Sequence, residues 1–247
     1  EDLHSRLPEV VRERYEVVLH NPFNAADSRR LLSTRLESVP LKLNSLFLEA
    51  EGRILFGAAV PSLVFGFEGG RSLILPGIAH ESTIEWLYRY ENVAHPAIRF
   101  GSLRDNPLHM AATELLQALP IDFGVSVVVT PDGQPSQVFA GDAGQSFMQA
   151  VGRMREKMSA RLKEPMDIVV TSGGGRPHDQ TLAQVVDAMS AVLPVLKPEG
   201  TIVIAAELLE SFGPYPMREL LLSASGPKGF ETRYANLSHV VPAQWIA

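Results

Sequence analysis

The chain has 247 residues, enough for one large domain or two ordinary ones. Its content of 45% hydrophobic and 20% charged residues is typical of a globular protein, and its net charge of −6 gives no basis for a nucleic-acid partner, because phosphate binding requires clustered Lys and Arg. The lack of Cys excludes disulfides, thiolate zinc sites, iron–sulfur clusters and cysteine nucleophiles.

The composition also bears on location. Residues 1–16 are charged throughout and lack the apolar core of a signal peptide. No stretch approaches the roughly 20 consecutive apolar residues that a membrane-spanning helix needs. We therefore expect a protein with no membrane partner that resides in the cytoplasm.

The first part of the chain predicts short, mixed elements. Residues 7–15 are charged and helix-like, and the apolar residues of 15–20 favour a strand. The tract 21–27, with two Asn, a Pro and an Asp, predicts a turn. The leucines of residues 41–48 indicate extended or mixed structure, and the apolar run 54–60 predicts a buried strand.

A glycine-rich and then apolar run, GFEGGRSLILPGI, occupies residues 66–78. Such a run predicts a tight, irregular loop, in which the guanidinium of Arg71 can hold a phosphate or carboxylate bidentately. An ordinary glycine turn with a solvated Arg explains the same pattern equally well. Beyond the loop, the sequence predicts helices over 82–90 and 108–119, and a β-hairpin with strands 125–130 and 137–140 around Pro131, Asp132 and Gly133.

The clearest local patterns lie in the second half. Apolar residues at helical spacing predict a long helix over residues 143–162. After it comes a βαβ unit with a parallel strand pair: a buried strand at 167–171, three glycines, a helix over 179–196, a turn at 197–200 and a buried strand at 201–206. The fold class is therefore α/β. We place a domain boundary near Lys163, which gives domains of residues 1–163 and 164–247.

Gly173, Gly174 and Gly175 lie between the first strand and the helix of this unit. Free backbone N–H groups and the helix dipole favour an anion at such a position, although any tight connection needs small residues. Ligands bind at the carboxyl ends of strands in open parallel sheets, which favours a phosphate or carboxylate site here. Asp179 can simply cap the helix.

The histidines and serines form no local catalytic pattern. None of the seven histidines pairs at the i, i+4 spacing of a helical metal site, and no acidic cluster accompanies them. The sequence also lacks the G-x-S-x-G elbow of a serine hydrolase. We interpret the histidines, including His80 and His95, as structural or surface residues and expect no metal site.

Three runs together resemble the nickel-dependent lactate racemase family. They are GFEGGRSLILPGI (66–78), GSLRDNP (101–107) and DIVVTSGGGRPHDQ (167–180), supported by VVLHNP around His20 and PAQW at 242–245. The resemblance spans nearly the whole chain in the family's order. It implies two α/β domains with a cleft between them, the second built on a Rossmann-like parallel βαβ unit.

The resemblance also implies an activity and a cofactor. Members of the family hold a nickel pincer nucleotide and racemise or epimerise 2-hydroxy acids, by removing a hydride from the hydroxyl-bearing carbon while histidines act as acid and base. By position, Gln180 matches a polar residue that contacts the substrate. The implied cofactor-binding residues are Gly66, Gly69, Gly70 and Arg71, to which we add the anion-binding loop of Gly173, Gly174 and Gly175.

Three family positions carry other residues in this chain. Ser72 replaces the lysine that is linked covalently to the pincer, Ser62 replaces a histidine acid/base, and Tyr88 replaces a nickel-ligating histidine. Serine cannot form the lysine's thioamide link, and neither Ser nor Tyr has a side-chain pKa near neutrality. A phenol is also a poor nickel ligand beside imidazole. The resemblance therefore implies a cofactor that is either lost or held noncovalently.

We expect a divergent isomerase of this family, truncated at both ends relative to it, that acts on a 2-hydroxy acid of the lactate type. The alternative is a non-catalytic binding or scaffold homologue, which three simultaneous replacements favour. A third hypothesis, a Rossmann-like methyltransferase, rests on LKPEGTIVIA (196–205), but DIVVTSGGG lacks the acid–glycine pattern that would hold the methyl donor's ribose. Nothing in the sequence indicates an oligomeric state.

Overall fold

A computed structural model describes residues 7–31, 41–130, 132–176, 178–213 and 215–236. The helices are α1 (Glu9–Arg14), α2 (Ser45–Glu49), α3 (Glu81–Leu87), α4 (Tyr90–Val93), α5 (Pro107–Ala118), α6 (Ala143–Met158), α7 (Leu182–Val192), α8 (Tyr215–Ser223) and α9 (Pro227–Ala235). The strands are β1 (Ser28–Arg30), β2 (Lys42–Asn44), β3 (Ile54–Ala58), β4 (Val60–Pro61), β5 (Phe67–Glu68), β6 (Phe123–Val129), β7 (Pro135–Gly141), β8 (Met166–Ser172) and β9 (Leu196–Ala205).

The strands pair into small sheets, and both parallel and antiparallel pairs occur. In the described part of the chain, β3 runs parallel to β6, which pairs antiparallel with β7, and β8 runs parallel to β9. The pairs β1–β2 and β4–β5 are antiparallel. The predicted α/β class, the hairpin and the parallel βαβ unit β8–α7–β9 are confirmed.

The N-terminal region contains the clearest error of the sequence prediction. Helix α1 and the turn over 21–27 form as predicted, and residues 41–48 are mixed, as β2 followed by α2. The predicted strand at 15–20 is wrong, because this segment is irregular and pairs with no strand among the described residues. Its apolar side chains lie in solvent, with Leu19 59% exposed. His20 fixes its end instead, with Nε2 2.9 Å from the carbonyl oxygen of Ala79.

Helix α6 packs against β6 and is the longest helix in the described ranges. Asp142 caps its start by accepting a hydrogen bond from the Gln145 N–H at 2.8 Å. The helix ends at Met158, four residues before the predicted end at 162. All of residues 159–165 are exposed, so Leu162 finds no surface to pack against and cannot extend the helix.

Buried side chains form two clusters that meet at the glycine-rich loop. The first cluster joins the loop to α3 and α5 and includes Phe65 and Leu75. The second joins the loop to β6 and α6 and includes Phe67 and Phe147. Each large apolar side chain that is fully buried contributes about 1.5–3 kcal/mol relative to an exposed one. Phe65 therefore anchors this loop in the first cluster, and Phe67 anchors it in the second.

The prediction of strands buried on both faces is wrong for β3 and β8. Ile54 and Phe56 are 67% and 70% exposed while Leu55 between them is buried. Ile168 and Val170 of β8 are likewise 64% and 74% exposed. Helix α6 packs on β6 and β7 and helix α7 on β8 and β9, while the exposed apolar residues of β3 and β8 remain in contact with solvent.

The βαβ unit differs from its predicted boundaries. Helix α7 begins after Thr181, whose hydroxyl accepts from the Gln184 N–H while the Gln184 side chain accepts from the Thr181 N–H. Asp179 is therefore not the cap. The helix ends at Val192, and β9 begins at Leu196, so the predicted turn at 197–200 lies inside the strand as an irregular segment with a register shift.

Helix α9 returns to the first half of the chain. The Tyr234 hydroxyl donates a hydrogen bond of 2.7 Å to the carbonyl oxygen of Tyr88. None of the helices in the described ranges is both long and apolar enough to cross a membrane. The boundary near Lys163 and the cleft stay predictions, and the C-terminal PAQW motif lies outside the described residues.

Candidate functional site

The glycine-rich loop begins as a short hairpin. Strands β4 and β5 pair with Val60 opposite Glu68, and the Ser62 N–H donates a 3.0 Å hydrogen bond to the carbonyl oxygen of Gly66. This pairing places Ser62, the residue predicted at the family's acid/base position, directly after β4, and Glu68 on β5.

Gly69 and Gly70 then bring the backbone against its neighbours. Their φ angles are +100° and +51°, a region that residues with a Cβ rarely adopt. An added Cβ would lie 2.3 Å from the carbonyl oxygen of Ala58 at Gly69, and 2.6 Å from Cγ of Phe147 at Gly70. The two glycines therefore allow the loop to lie directly on β3 and α6.

Ser72 closes the turn that follows. Its hydroxyl accepts a 2.8 Å hydrogen bond from the Gly69 N–H and donates to the Gly69 carbonyl at 3.3 Å. The side chain is 8% exposed. The hydroxyl of Ser72, the residue predicted at the family's lysine position, therefore stabilises the loop.

Ser62, Glu68 and Tyr88 form a group that we call the Glu68 cluster. Burial raises the pKa of Glu68, a hydrogen bond from Ser62 opposes that rise, and the negative charge of Asp187 adds to it. Asp187 belongs to α7, so the βαβ unit acts electrostatically on the hairpin.

Tyr88 contributes to this cluster as a core residue. It is 3% exposed, and its ring meets that of Phe65 edge-on at 6.5 Å between centroids. Burial raises the pKa of the Tyr88 phenol, and Glu68 and Tyr234 raise it further. A phenol that stays protonated is a poor metal ligand, so Tyr88, the residue predicted at the family's nickel position, acts as a packing residue here.

Arg71, in contrast to Ser72 and Tyr88, is buried without hydrogen-bond partners for part of its guanidinium. Its side chain is 2% exposed, and its Nε and Nη2 atoms have no hydrogen-bond partner among the described residues. The guanidinium carbon lies 4.4 Å from the ring centroid of Phe147. Burial lowers the pKa of Arg71 to about 9. A buried cation with unused donors is chemically complementary to an anion.

The second glycine loop lies apart from the helix that it precedes. Gly174 and Gly175 adopt positive φ angles in open space, and the Gly174 N–H donates to the Ser172 hydroxyl at 3.3 Å. Helix α7 begins only at Leu182. The dipole argument therefore does not apply directly to Gly173, Gly174 and Gly175, and their role in anion binding stays a prediction.

The segment after this loop fixes the backbone of Gln180. The Asp179 carboxylate accepts from the Glu207 N–H at 3.2 Å, and the Gln180 N–H donates to the side-chain oxygen of Gln184 at 2.9 Å. The Gln180 side chain makes a contact of 3.5 Å with Asp179. A fixed backbone with a loosely held amide suits a residue that contacts a ligand.

Histidines elsewhere hold local turns. His80 Nδ1 accepts from the Ser82 N–H at 3.2 Å and caps α3, and His95 Nδ1 accepts from the Ala97 N–H at 3.2 Å. The described ranges hold no group of three His, Asp or Glu side chains that could bind a metal ion. With Ser72 engaged and Tyr88 buried, these residues do not fit a tethered nickel cofactor.

The comparisons with known proteins concern both halves of the chain. Residues 1–99 match the lactate racemase N-terminal domain and residues 162–247 match the lactate racemase C-terminal domain. The chain is 28% identical, over its whole length, to the lactate racemases of Thermoanaerobacterium thermosaccharolyticum and Lactiplantibacillus plantarum. It spans 58% of the length of each of these relatives.

A solved structure gives the same result. The lactate racemase apoprotein from Thermoanaerobacterium thermosaccharolyticum superposes with a TM-score of 0.90 at 28% identity, covering 98% of this chain and 58% of that one. The structural match along the chain agrees with the matches to both lactate racemase domains. The chain belongs to the lactate racemase family.

Proposed function

We propose that this chain is a divergent lactate racemase-family protein that binds a small 2-hydroxy acid without carrying out tethered nickel chemistry. The observation that carries the proposal is the state of the three replaced positions. The Ser72 hydroxyl forms hydrogen bonds within its own turn, Ser62 is hydrogen-bonded to Glu68, and Tyr88 is packed in the core. Each replacement has a structural role that the family's Lys or His would not fill.

The ligand class comes from the relatives and from Gln180. The relatives are lactate racemases, and lactate is a 2-hydroxy acid. Gln180 lies at the family's substrate-contacting position, on a backbone held by Gln184. We propose a cytoplasmic protein whose partner is a small molecule of this class, and whose nucleotide, when present, is held noncovalently.

A calorimetric titration with each lactate enantiomer tests binding, and a chiral assay of the same samples tests racemisation. We expect saturable binding that Gln180→Ala weakens, with no racemisation. The matched control is Gln145→Ala, because Gln145 is an exposed residue of α6 away from the loop. If none of a panel of 2-hydroxy acids binds, the proposal is contradicted.

A second candidate, a catalytically active racemase or epimerase, is favoured by the Ser62–Glu68 pair. Glu68 brings a titratable group beside the predicted position of a family acid/base, and burial raises its pKa. Turnover of lactate in the presence of the nickel pincer nucleotide, lost in Glu68→Gln, would establish this candidate over the first.

A further inference from the structure

The sheet β3–β6–β7 has one covered face and one open face. Successive side chains of a strand point to opposite faces of its sheet. On the covered face, Leu55 and Val128 are buried, and helix α6 packs against β6 and β7. On the opposite face, Ile54 and Phe56 of β3 are 67% and 70% exposed, and Val138 of β7 is 60% exposed. Large apolar side chains therefore lie in solvent across the whole width of the sheet.

The strand register shows which side chains share the open face. It pairs Ile54 with Phe123, and it aligns Val125 and Val127 of β6 with residues on both neighbouring strands. We call the following eight residues the apolar face: Ile54, Phe56, Ala58, Phe123, Val125, Val127, Val138 and Ala140. None of them is polar or charged. Because a sheet face that stays in water normally carries polar side chains, this face is typical of a surface that another molecule covers.

The area of the apolar face fits a subunit interface. The exposed parts of its four most exposed residues amount to roughly 500 Å², which is as large as the largest apolar patch of a typical monomer. The other four residues are half-buried or exposed and add to this area. The total approaches the roughly 800 Å² that each partner contributes to a standard protein–protein interface.

The charges around the apolar face argue against a nucleic acid or an anionic membrane as its partner. Glu51 precedes β3, Asp122 precedes β6 and Asp132 lies between β6 and β7, and all three residues are exposed. The nearby Arg53 donates to two carbonyl oxygens of α2, at 2.8 and 2.7 Å. Carboxylates repel phosphate groups, and surfaces that bind anionic lipid are rich in Lys and Arg. The apolar face is therefore better matched by another protein surface without charge.

We propose that the apolar face is the interface through which two copies of this chain form a twofold dimer. A twofold interface uses the same patch on both subunits, so it requires a patch that is complementary to itself. The aligned side chains of Phe56, Val125 and Ala140 decrease in size from β3 to β7. A twofold axis along β6 places Phe56 of each copy over Ala140 of the other, so that large residues meet small ones, as in packed sheets.

The inference goes beyond the proposed function, because the interface involves neither a hydroxy acid nor a cofactor. Sedimentation equilibrium over a range of protein concentrations tests it. We expect a dimer whose dissociation constant rises by about tenfold or more in Phe56→Glu, because the new carboxylate is buried without a partner in an apolar interface. Val138→Glu, at the other edge of the apolar face, should have the same effect. Both side chains are largely exposed in the single chain, so neither change removes a core contact.

The matched control is Met110→Glu. Met110 is 59% exposed and lies on α5, outside the sheet, so this variant makes the same change from an apolar residue to a carboxylate. We expect it to dimerise as the unaltered protein does. Equal weakening by Met110→Glu and Phe56→Glu would overturn the inference, because the effect would then come from added charge alone.

Three further outcomes would also overturn the inference. The first is a monomer at every concentration. The second is a dimer that Ile168→Glu weakens and Phe56→Glu does not, which would assign the interface to the exposed side chains of β8, where Ile168 is 64% exposed. The third is a monomer that binds vesicles of anionic phospholipid and loses this binding in Phe56→Glu, which would assign the apolar face to lipid.

Discussion

The Glu68 cluster and the buried Arg71 side chain differ in how their polar groups are satisfied. In the Glu68 cluster, Ser62 forms a hydrogen bond with Glu68 and Tyr88 packs in the core, at positions predicted to carry the family's catalytic and metal-binding residues. At Arg71, a buried guanidinium has donors without partners. The comparison teaches that the Glu68 cluster is satisfied within the fold, whereas the unpartnered donors of Arg71 carry a cost in desolvation.

The largest effect is expected from a substitution that disrupts the glycine-rich loop. Gly70→Ala places a Cβ 2.6 Å from Cγ of Phe147 at a φ of +51°. The strain and the displaced ring should lower the free energy of unfolding by about 3 kcal/mol or more. Urea denaturation measures this loss.

The control for this change is Gly133→Ala. Gly133 also has a positive φ, +79°, but an added Cβ there meets nothing within 4 Å. Its loss should be about 1 kcal/mol, from the backbone conformation alone. Equal losses at the two positions would show that the contact with Phe147 does not constrain the loop.

The next effect concerns the family's lysine position. Ser72→Ala leaves the buried Gly69 N–H without its 2.8 Å acceptor, so we expect a loss of about 1–3 kcal/mol in the free energy of unfolding. Ser28→Ala is the control, because the Ser28 hydroxyl makes its 3.1 Å hydrogen bond at an exposed site. A neutral effect of Ser72→Ala would contradict the structural role of this hydroxyl.

A smaller effect is expected where α9 meets the Glu68 cluster. Tyr234→Phe removes the 2.7 Å hydrogen bond to the carbonyl oxygen of Tyr88 and keeps the ring that stacks on Phe230. The expected loss is about 1 kcal/mol. Denaturation of Tyr15→Phe, which changes an exposed phenol, supplies the comparison; a loss of the same size there would mean that the α9 contact contributes nothing.

The smallest effect is a change in pH dependence. The pKa of Glu68 is raised in the folded state, so its contribution to stability is fully present below the unfolded pKa and is lost as the pH rises through the folded pKa. Glu68→Gln should remove this loss, so that the variant gains stability relative to the unaltered protein from about pH 4.5 upward. Thermal melts across that range measure the slope, and parallel curves would show that Glu68 is not desolvated.

The parts of the fold that the sequence predicts are those with strong local patterns. The hairpin β6–β7 and the unit β8–α7–β9 follow from alternation, glycines and capping residues close together in the chain. The strand expected at 15–20 fails because an apolar run becomes a strand only when a neighbouring strand pairs with it. The end of α6 fails for a similar reason, since Leu162 has the spacing but no surface to cover.

The site is less predictable because its groups come together through tertiary structure. Sequence pattern and family resemblance indicate Ser62, Ser72 and Arg71, but not the role of Glu68, which depends on the register of a two-residue strand pair. His109 and Arg155 lie on helices far from Arg71 in the chain, and no spacing rule connects them. Only the packing of α5 and α6 around the loop brings these side chains together.

The central claim is that Ser62, Ser72 and Tyr88 have structural roles that leave no covalent attachment for the family's cofactor. The most direct test is the nickel content and intact mass of the protein co-expressed with enzymes that make the nickel pincer nucleotide. The account predicts a mass equal to that of the unmodified chain and no nickel that survives denaturation. An added mass from a covalently attached cofactor would contradict it.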